Sequence, residues 1–83
     1  MPLASRLARA LLELAKVLGE ENDSGQVLIR HKIKQSDLAV MVGIARENVS
    51  RALSDWKRRK LVTRSMDYYR LHDISALKRG VDS

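Results

Sequence analysis

The stretch "LAVMVGIARENVSRAL", Leu38 to Leu53, breaks an apolar run with a lone glycine and restarts it at once with charges. Ala39, Gly43 and Val49 fall four and then six residues apart. That spacing predicts two helices joined by a tight bend. A small residue at Ala39 lets the second helix cross close to the first, and Gly43 supplies the left-handed backbone that the bend requires. Val49 anchors the second helix in a shared core, with Leu38, Ile44 and Leu53 filling the other inward positions.

Around the second helix, at about 100° per residue, Arg46, Glu47, Ser50, Arg51 and Ser54 fall within an arc of roughly 140°. Val49, Ala52, Leu53 and Trp56 occupy a separate arc of about 100° on the other side. Donors and acceptors therefore face out and apolar groups face in. Glu47 and Arg51 also have the spacing of a solvated ion pair worth a few tenths of a kcal/mol. Periodicity alone leaves both readings of this face open.

Outward from this pair, Leu7, Leu11, Leu14, Ala15 and Leu18 repeat at helical spacing and predict an amphipathic helix over 3–18, with Gly19 placed to stop it. Leu12 and Val17 lie off that stripe. "GEENDSG" reads as a polar turn, and a short strand is expected over 27–30. Helices follow over 35–42 and 46–59, the second ending in "KRRK", whose charge suits a helix C-terminus. "LVTR" and "YYRLH", separated by "SMD", predict a hairpin over 61–71. Asp73 can cap a last helix over 74–79, stopped by Gly80.

The fold class expected is mainly α with a small β-hairpin wing: a winged helix-turn-helix with a three-helix core and a short C-terminal helix. Eighty-three residues make one small domain, 1–83, with room for a single modest core. There is no Phe, one Trp and two Tyr, so that core is mostly aliphatic. Trp56 falls on the inward arc, and of the adjacent Tyr68 and Tyr69 one is expected to pack inside.

No apolar run is long enough to cross a bilayer, because Glu13 and Lys16 break Leu11–Leu18. Nor does the N-terminus carry the apolar stretch and cleavage site of a signal peptide. Without cysteine the chain has no disulfide, thiolate metal site or thiol nucleophile, which suits the cytoplasm. A formal charge of +6 predicts attraction to polyanions, nucleic acid before acidic membrane. Arg51, Lys57, Arg58, Arg59, Lys60 and Arg64 crowd between Arg46 and Arg70.

"IKQSDLAVMVGIARENVSRALSDWKRRKLV" resembles the C-terminal DNA-binding domain of the cyclic-AMP receptor protein and fumarate-nitrate reductase regulator (Crp/Fnr) family of bacterial transcription factors. The likeness rests on the LA-x-x-x-G turn, here Leu38, Ala39 and Gly43, and on R-E-x-V-S-R, here Arg46 to Arg51. It implies double-stranded DNA as partner, with Arg46, Glu47 and Arg51 reading bases of a TGTGA-like inverted repeat. Ser50 is implied at a base or the backbone, and Lys34, Gln35, Lys57 and Arg64 at phosphates. A homodimer on a palindrome is also implied. An effector such as a cyclic nucleotide would bind a separate domain, so no cofactor is expected in this chain. Relatives carry an effector-binding β-roll and a dimerisation helix ahead of this region, and neither fits here.

Three departures from the family pattern stand out. Ala45 replaces the usual capping Ser or Thr, a loss of about 1 kcal/mol. Lys34 replaces a usual Thr, with Ser36 available to cap a shorter helix. "SMD" lacks the common glycine. His31 and His72 have no partners at ligand spacing, so no metal site is expected. No nucleophile elbow or phosphate loop accompanies Ser, His and Asp, so neither catalytic residues nor enzymatic activity are expected. The competing class is a winged helix that docks an acidic protein partner through the same face. Membrane binding is disfavoured, because the first helix needs its apolar stripe for the core.

Overall fold

The computed structural model describes residues 3–82, so the ends of the expected 1–83 domain lie outside the described residues. The elements are α1 (Leu3–Leu18), β1 (Gly19–Glu21), β2 (Val27–Ile29), α2 (Gln35–Val42), α3 (Arg46–Arg58), β3 (Val62–Ser65), β4 (Tyr68–Leu71) and α4 (Ile74–Asp82). The strands form one antiparallel sheet in the order β1-β2-β4-β3. Helices α1 and α3 pack against this sheet, α2 packs on both of them, and α4 lies along α1. The architecture is a winged helix-turn-helix.

Periodicity in α1 explains the core. Leu7 and Leu11 are fully buried, and they join Ile29, Leu38, Val49, Val62, Tyr69 and Leu71 in one cluster. Each such aliphatic side chain contributes on the order of 1.5–3 kcal/mol. Trp56, Leu61 and Leu77 belong to the same cluster, as do Ala8, Ile33, Ala39 and Leu53. Leu12 and Leu14 are half-buried against it, whereas Val17 is 80% exposed.

The bend between α2 and α3 follows from Gly43, at φ 77° and ψ 37°. The backbone N–H groups of Gly43 and Ile44 both turn back onto the Ala39 carbonyl, at 2.8 and 3.1 Å. A third donor arrives from α1: the Arg6 guanidinium donates to the Val42 carbonyl. Two of the orphan carbonyls at the end of α2 are thereby satisfied.

Several expectations need correction. "GEENDSG" is not all turn, because Gly19–Glu21 forms edge strand β1 paired to β2, Gly19 opposite Ile29 and Glu21 opposite Val27. Only the segment from Asn22 to Gln26 turns, closed by Asn22 N–H to the Gln26 carbonyl at 2.9 Å. Gly19 does end α1, but by close approach: a side chain there would collide with the Ala15 carbonyl and Val27. Ser36 caps nothing. Helix α2 starts at Gln35, the first residue of the expected span, after an extended Lys34 with no side-chain cap bond.

Strand β2 ends at Ile29, although the Arg30 N–H still reaches the Leu18 carbonyl at 3.0 Å, in register with the β1 pairing. Helix α3 ends at Arg58, with Arg59 as its cap. Gly80 does not stop α4, which runs to Asp82. Its carbonyl accepts a 2.9 Å bond from the buried Ser5 hydroxyl of α1. At the other end of that helix, Asp73 Oδ1 accepts the Ala76 N–H at 3.0 Å.

The wing is entered and turned without glycine. Lys60 stands at φ 60° directly after α3. The Lys60 N–H reaches the Lys57 carbonyl and the Leu61 N–H reaches the Trp56 carbonyl, at 3.1 and 2.8 Å. This is a Schellman closure, with Leu61 buried near Trp56 as the accompanying apolar pair. At the wing tip, Ser65 pairs with Tyr68, leaving a two-residue loop of Met66 and Asp67 at φ 52° and 67°. Positive φ at both positions is the signature of a type I′ turn, whose twist matches the strands it joins.

Candidate nucleic-acid interface

Helix α3 presents the arc anticipated from its periodicity. Val49, Leu53 and Trp56 are buried, whereas Arg46, Glu47, Ser50, Arg51 and Ser54 are exposed. Ala45 leads into the helix in extended conformation with no side-chain cap bond. Among the described residues, no hydrogen bond or ion pair within the protein engages the side chains of Arg46, Glu47, Ser50 or Arg51. The Glu47–Arg51 pair allowed by spacing is not formed.

These residues border an open hollow lined by Gln35, Arg46, Glu47, Ser50 and Arg51. Gln35 and Ser50 also line a second cleft, together with Leu53, Ser54, Lys57, Val62, Thr63 and Arg64. The two hollows thus run together from the first turn of α3 to the wing. Gln35, from the opening residue of α2, forms part of the ridge between them. Lys34 is exposed beside it but lines neither hollow.

The basic surplus is less uniform than the sequence suggests. Asp55 engages Arg58 at 2.8 Å and Arg59 at 3.3 Å. Those two guanidiniums, Arg58 first, hold the Asp55 carboxyl below the usual carboxylate range. Lys57 and Lys60 make no such pair among the described residues. Arg64 lies 3.4 Å from Asp67 across the wing turn, so it meets any ligand already partly neutralised. Nearby, burial pushes the Tyr69 hydroxyl above its ordinary pKa, while Arg64 pulls the other way. That hydroxyl has no hydrogen-bond partner among the described residues.

Two features escaped sequence reasoning. Thr63 lines the cleft beside the wing, and its hydroxyl lies 2.8 Å from His72 Nε2. Lys32 sits over the exposed Tyr68 ring, 5.9 Å from its centroid. Neither follows from a helical or strand period, because each joins residues brought together by the sheet. Among the described residues no group of His, Asp or Glu could hold a metal ion. No helix among them is long and apolar enough to cross a membrane.

A glycine bend, an outward polar face on the following helix and a hairpin beside it define a winged helix-turn-helix binding domain. The model of the Crp-like helix-turn-helix domain matches residues 5–80, and the chain belongs to that family. A CRP-like cAMP-activated global transcriptional regulator of Mycobacterium tuberculosis is 37% identical over 54 residues, covering 65% of this chain and 24% of that protein. A CRP/FNR-family transcriptional regulator from Thermus thermophilus superimposes with a TM-score of 0.86 at 31% identity, covering 100% of this chain and 42% of that one. A second regulator from the same organism gives 0.85 at 30% identity, with 100% and 42% covered. The chain therefore spans about a quarter of the curated relative (24%) and under half of each solved regulator (42%).

Proposed function

We propose that this domain binds double-stranded DNA sequence-specifically, with α3 in the major groove, and serves transcription regulation without catalysis. The observation that carries the reading is the exposed first half of α3, whose two guanidiniums and one carboxylate have no partner among the described residues. An arginine fork donates twice to guanine O6 and N7, and a glutamate accepts from cytosine N4. Arg46, Glu47 and Arg51 therefore supply sequence preference, which the family resemblance makes a TGTGA-like inverted repeat, with Ser50 beside them. Lys34, Gln35, Lys57 and Arg64 hold phosphates and fix the register. Two copies on the inverted repeat place their helices one DNA turn apart, about 34–36 Å. Any effector is bound by a separate domain.

Competition binding of a TGTGA-type palindrome against a scrambled duplex, at stated salt, tests this reading. Arg51→Ala is expected to relax preference at one guanine at a cost of about 1–3 kcal/mol. Lys57→Ala should weaken both duplexes alike and lower the salt slope by about one. Equal loss on the two duplexes for Arg51→Ala removes it from the reading role. Absence of any duplex preference at physiological salt favours a domain that docks an acidic protein instead.

A further inference from the structure

Two walls of different secondary structure meet in the cleft beside α3. On the helical wall, Ser50, Ser54 and Lys57 fall within about 60° of one another at about 100° per residue. All three are exposed and line the cleft. On the wing wall, β3 pairs with β4 so that Val62 stands opposite Leu71 and Arg64 opposite Tyr69. Leu71 and Tyr69 are fully buried and Val62 nearly so, which makes this the sheet face turned toward the helices. Alternation along a strand then puts the Arg64 side chain on that same face and Thr63 on the opposite one. Arg64 therefore borders the cleft from the side that faces Ser54 and Lys57.

Each of the three has hydrogens to spare. The Ser54 hydroxyl does not turn back to the Ser50 carbonyl, the usual alternative for a serine inside a helix, and has no other partner among the described residues. Lys57 has three ammonium hydrogens and no carboxylate partner there. Arg64 commits Nη1 to Asp67, at 3.4 Å, and keeps Nη2 and Nε. No acidic residue lines the cleft. We propose that one DNA phosphate seats between the two walls, accepting hydrogen bonds from Ser54, Lys57 and Arg64 together. The inference rests on the DNA-binding reading. It adds Ser54 to the contacts and makes Lys57 and Arg64 share a phosphate rather than take one each. Such a clamp ties helix and wing to a single point of the strand, which fixes the register of α3. The two cations displace counterions, so their contributions fall with salt, whereas the Ser54 hydroxyl displaces none.

The test is fluorescence anisotropy of the 83-residue chain on the palindrome and the scrambled duplex across a salt series. Ser54→Ala is expected to weaken both by about fivefold with unchanged salt slope, and Lys57→Ala to lower the slope by about one. Alanine is the better helix former, so a loss in Ser54→Ala does not come from a frayed α3. A set of palindromes each carrying one neutral methylphosphonate then locates the contact. Ser54→Ala, Lys57→Ala and Arg64→Ala should each blunt the loss that wild type shows, and all three at the same phosphate. Blunting at different phosphates, an unchanged methylphosphonate profile, or wild-type affinity in Ser54→Ala overturns the clamp and leaves the DNA-binding reading intact. No duplex binding by wild type overturns both.

Discussion

Helices α2 and α3 leave by the same backbone manoeuvre, a single residue in the left-handed region, yet they use opposite chemistry. The bend after α2 has Gly43, for which that conformation carries no Cβ penalty. The exit from α3 has Lys60, and the wing tip that follows has Met66 and Asp67. All the non-glycine residues with positive φ among those described therefore stand at the entry or tip of the wing. The helix pair that holds the exposed polar face of α3 is built without such strain. The wing carries it three times, at about 1–2 kcal/mol for each ordinary residue so held. Its hairpin persists because Trp56, Leu61, Val62, Tyr69 and Leu71 bury its base.

Substitutions at these positions test that contrast. The largest effect is expected from Gly43→Ala, a loss of about 1–2 kcal/mol in urea unfolding. The new Cβ would lie 3.4 Å from the Arg6 guanidinium, an ordinary contact, so the cost is that of the left-handed backbone. An unchanged midpoint would mean that the bend does not depend on glycine. Replacing Met66 by Asn and Asp67 by Gly together installs the preferred type I′ pair, with an expected gain of about 1 kcal/mol. The same change releases Arg64 from Asp67, so phosphate binding should tighten and its salt dependence steepen.

A smaller gain, about 0.5–1 kcal/mol, is expected from Lys60→Gly in thermal unfolding. Destabilisation there would show that the lysine side chain contributes more than its backbone costs. The smallest effect is expected at Asp55, whose carboxyl is held low by Arg58 and Arg59. A depressed carboxylate pKa stabilises the fold above the ordinary carboxylate range, and that contribution fades as pH falls through the folded value. Asp55→Asn should therefore slightly flatten the acid limb of a stability–pH curve. An identical limb would assign the pairs no role in folding, as for many exposed ion pairs.

What could be read in the sequence tracks how local its cause is. The winged helix-turn-helix was legible because α1 and α3 repeat their apolar residues at helical spacing and because Gly43 marks the bend. Strand β1 was not, since Gly-Glu-Glu has no strand propensity and pairs only because β2 lies alongside it. Ser36 and Gly80 misled for a related reason. Each carries a local signal for a helix end that neighbouring chain overrides, in one case through the Ser5 bond from α1. In the candidate interface, periodicity gave the exposed arc of α3, and the structure brings Gln35 and Lys57 to its hollows. The bases assigned to that arc come from the family resemblance and from the hydrogen-bonding chemistry of its side chains, not from periodicity. Arg64 looked like a free cation because nothing in "RSMD" announces a turn tight enough to fold Asp67 back onto it. Gln26 and His72, 46 residues apart, had no shared local pattern to betray them.

The Arg6 guanidinium, fastened to the last carbonyl of α2, gives the bend a character that its glycine would not suggest. A flexible residue flanked by two short helices would ordinarily serve as a swivel. Here the first helix is stitched across the joint, so changing the angle between α2 and α3 means breaking a charge-assisted bond as well as rotating a backbone. The three helices are thereby braced like the members of a bracket. Whatever α3 grips, tilting it against α2 has to contend with that tether from α1.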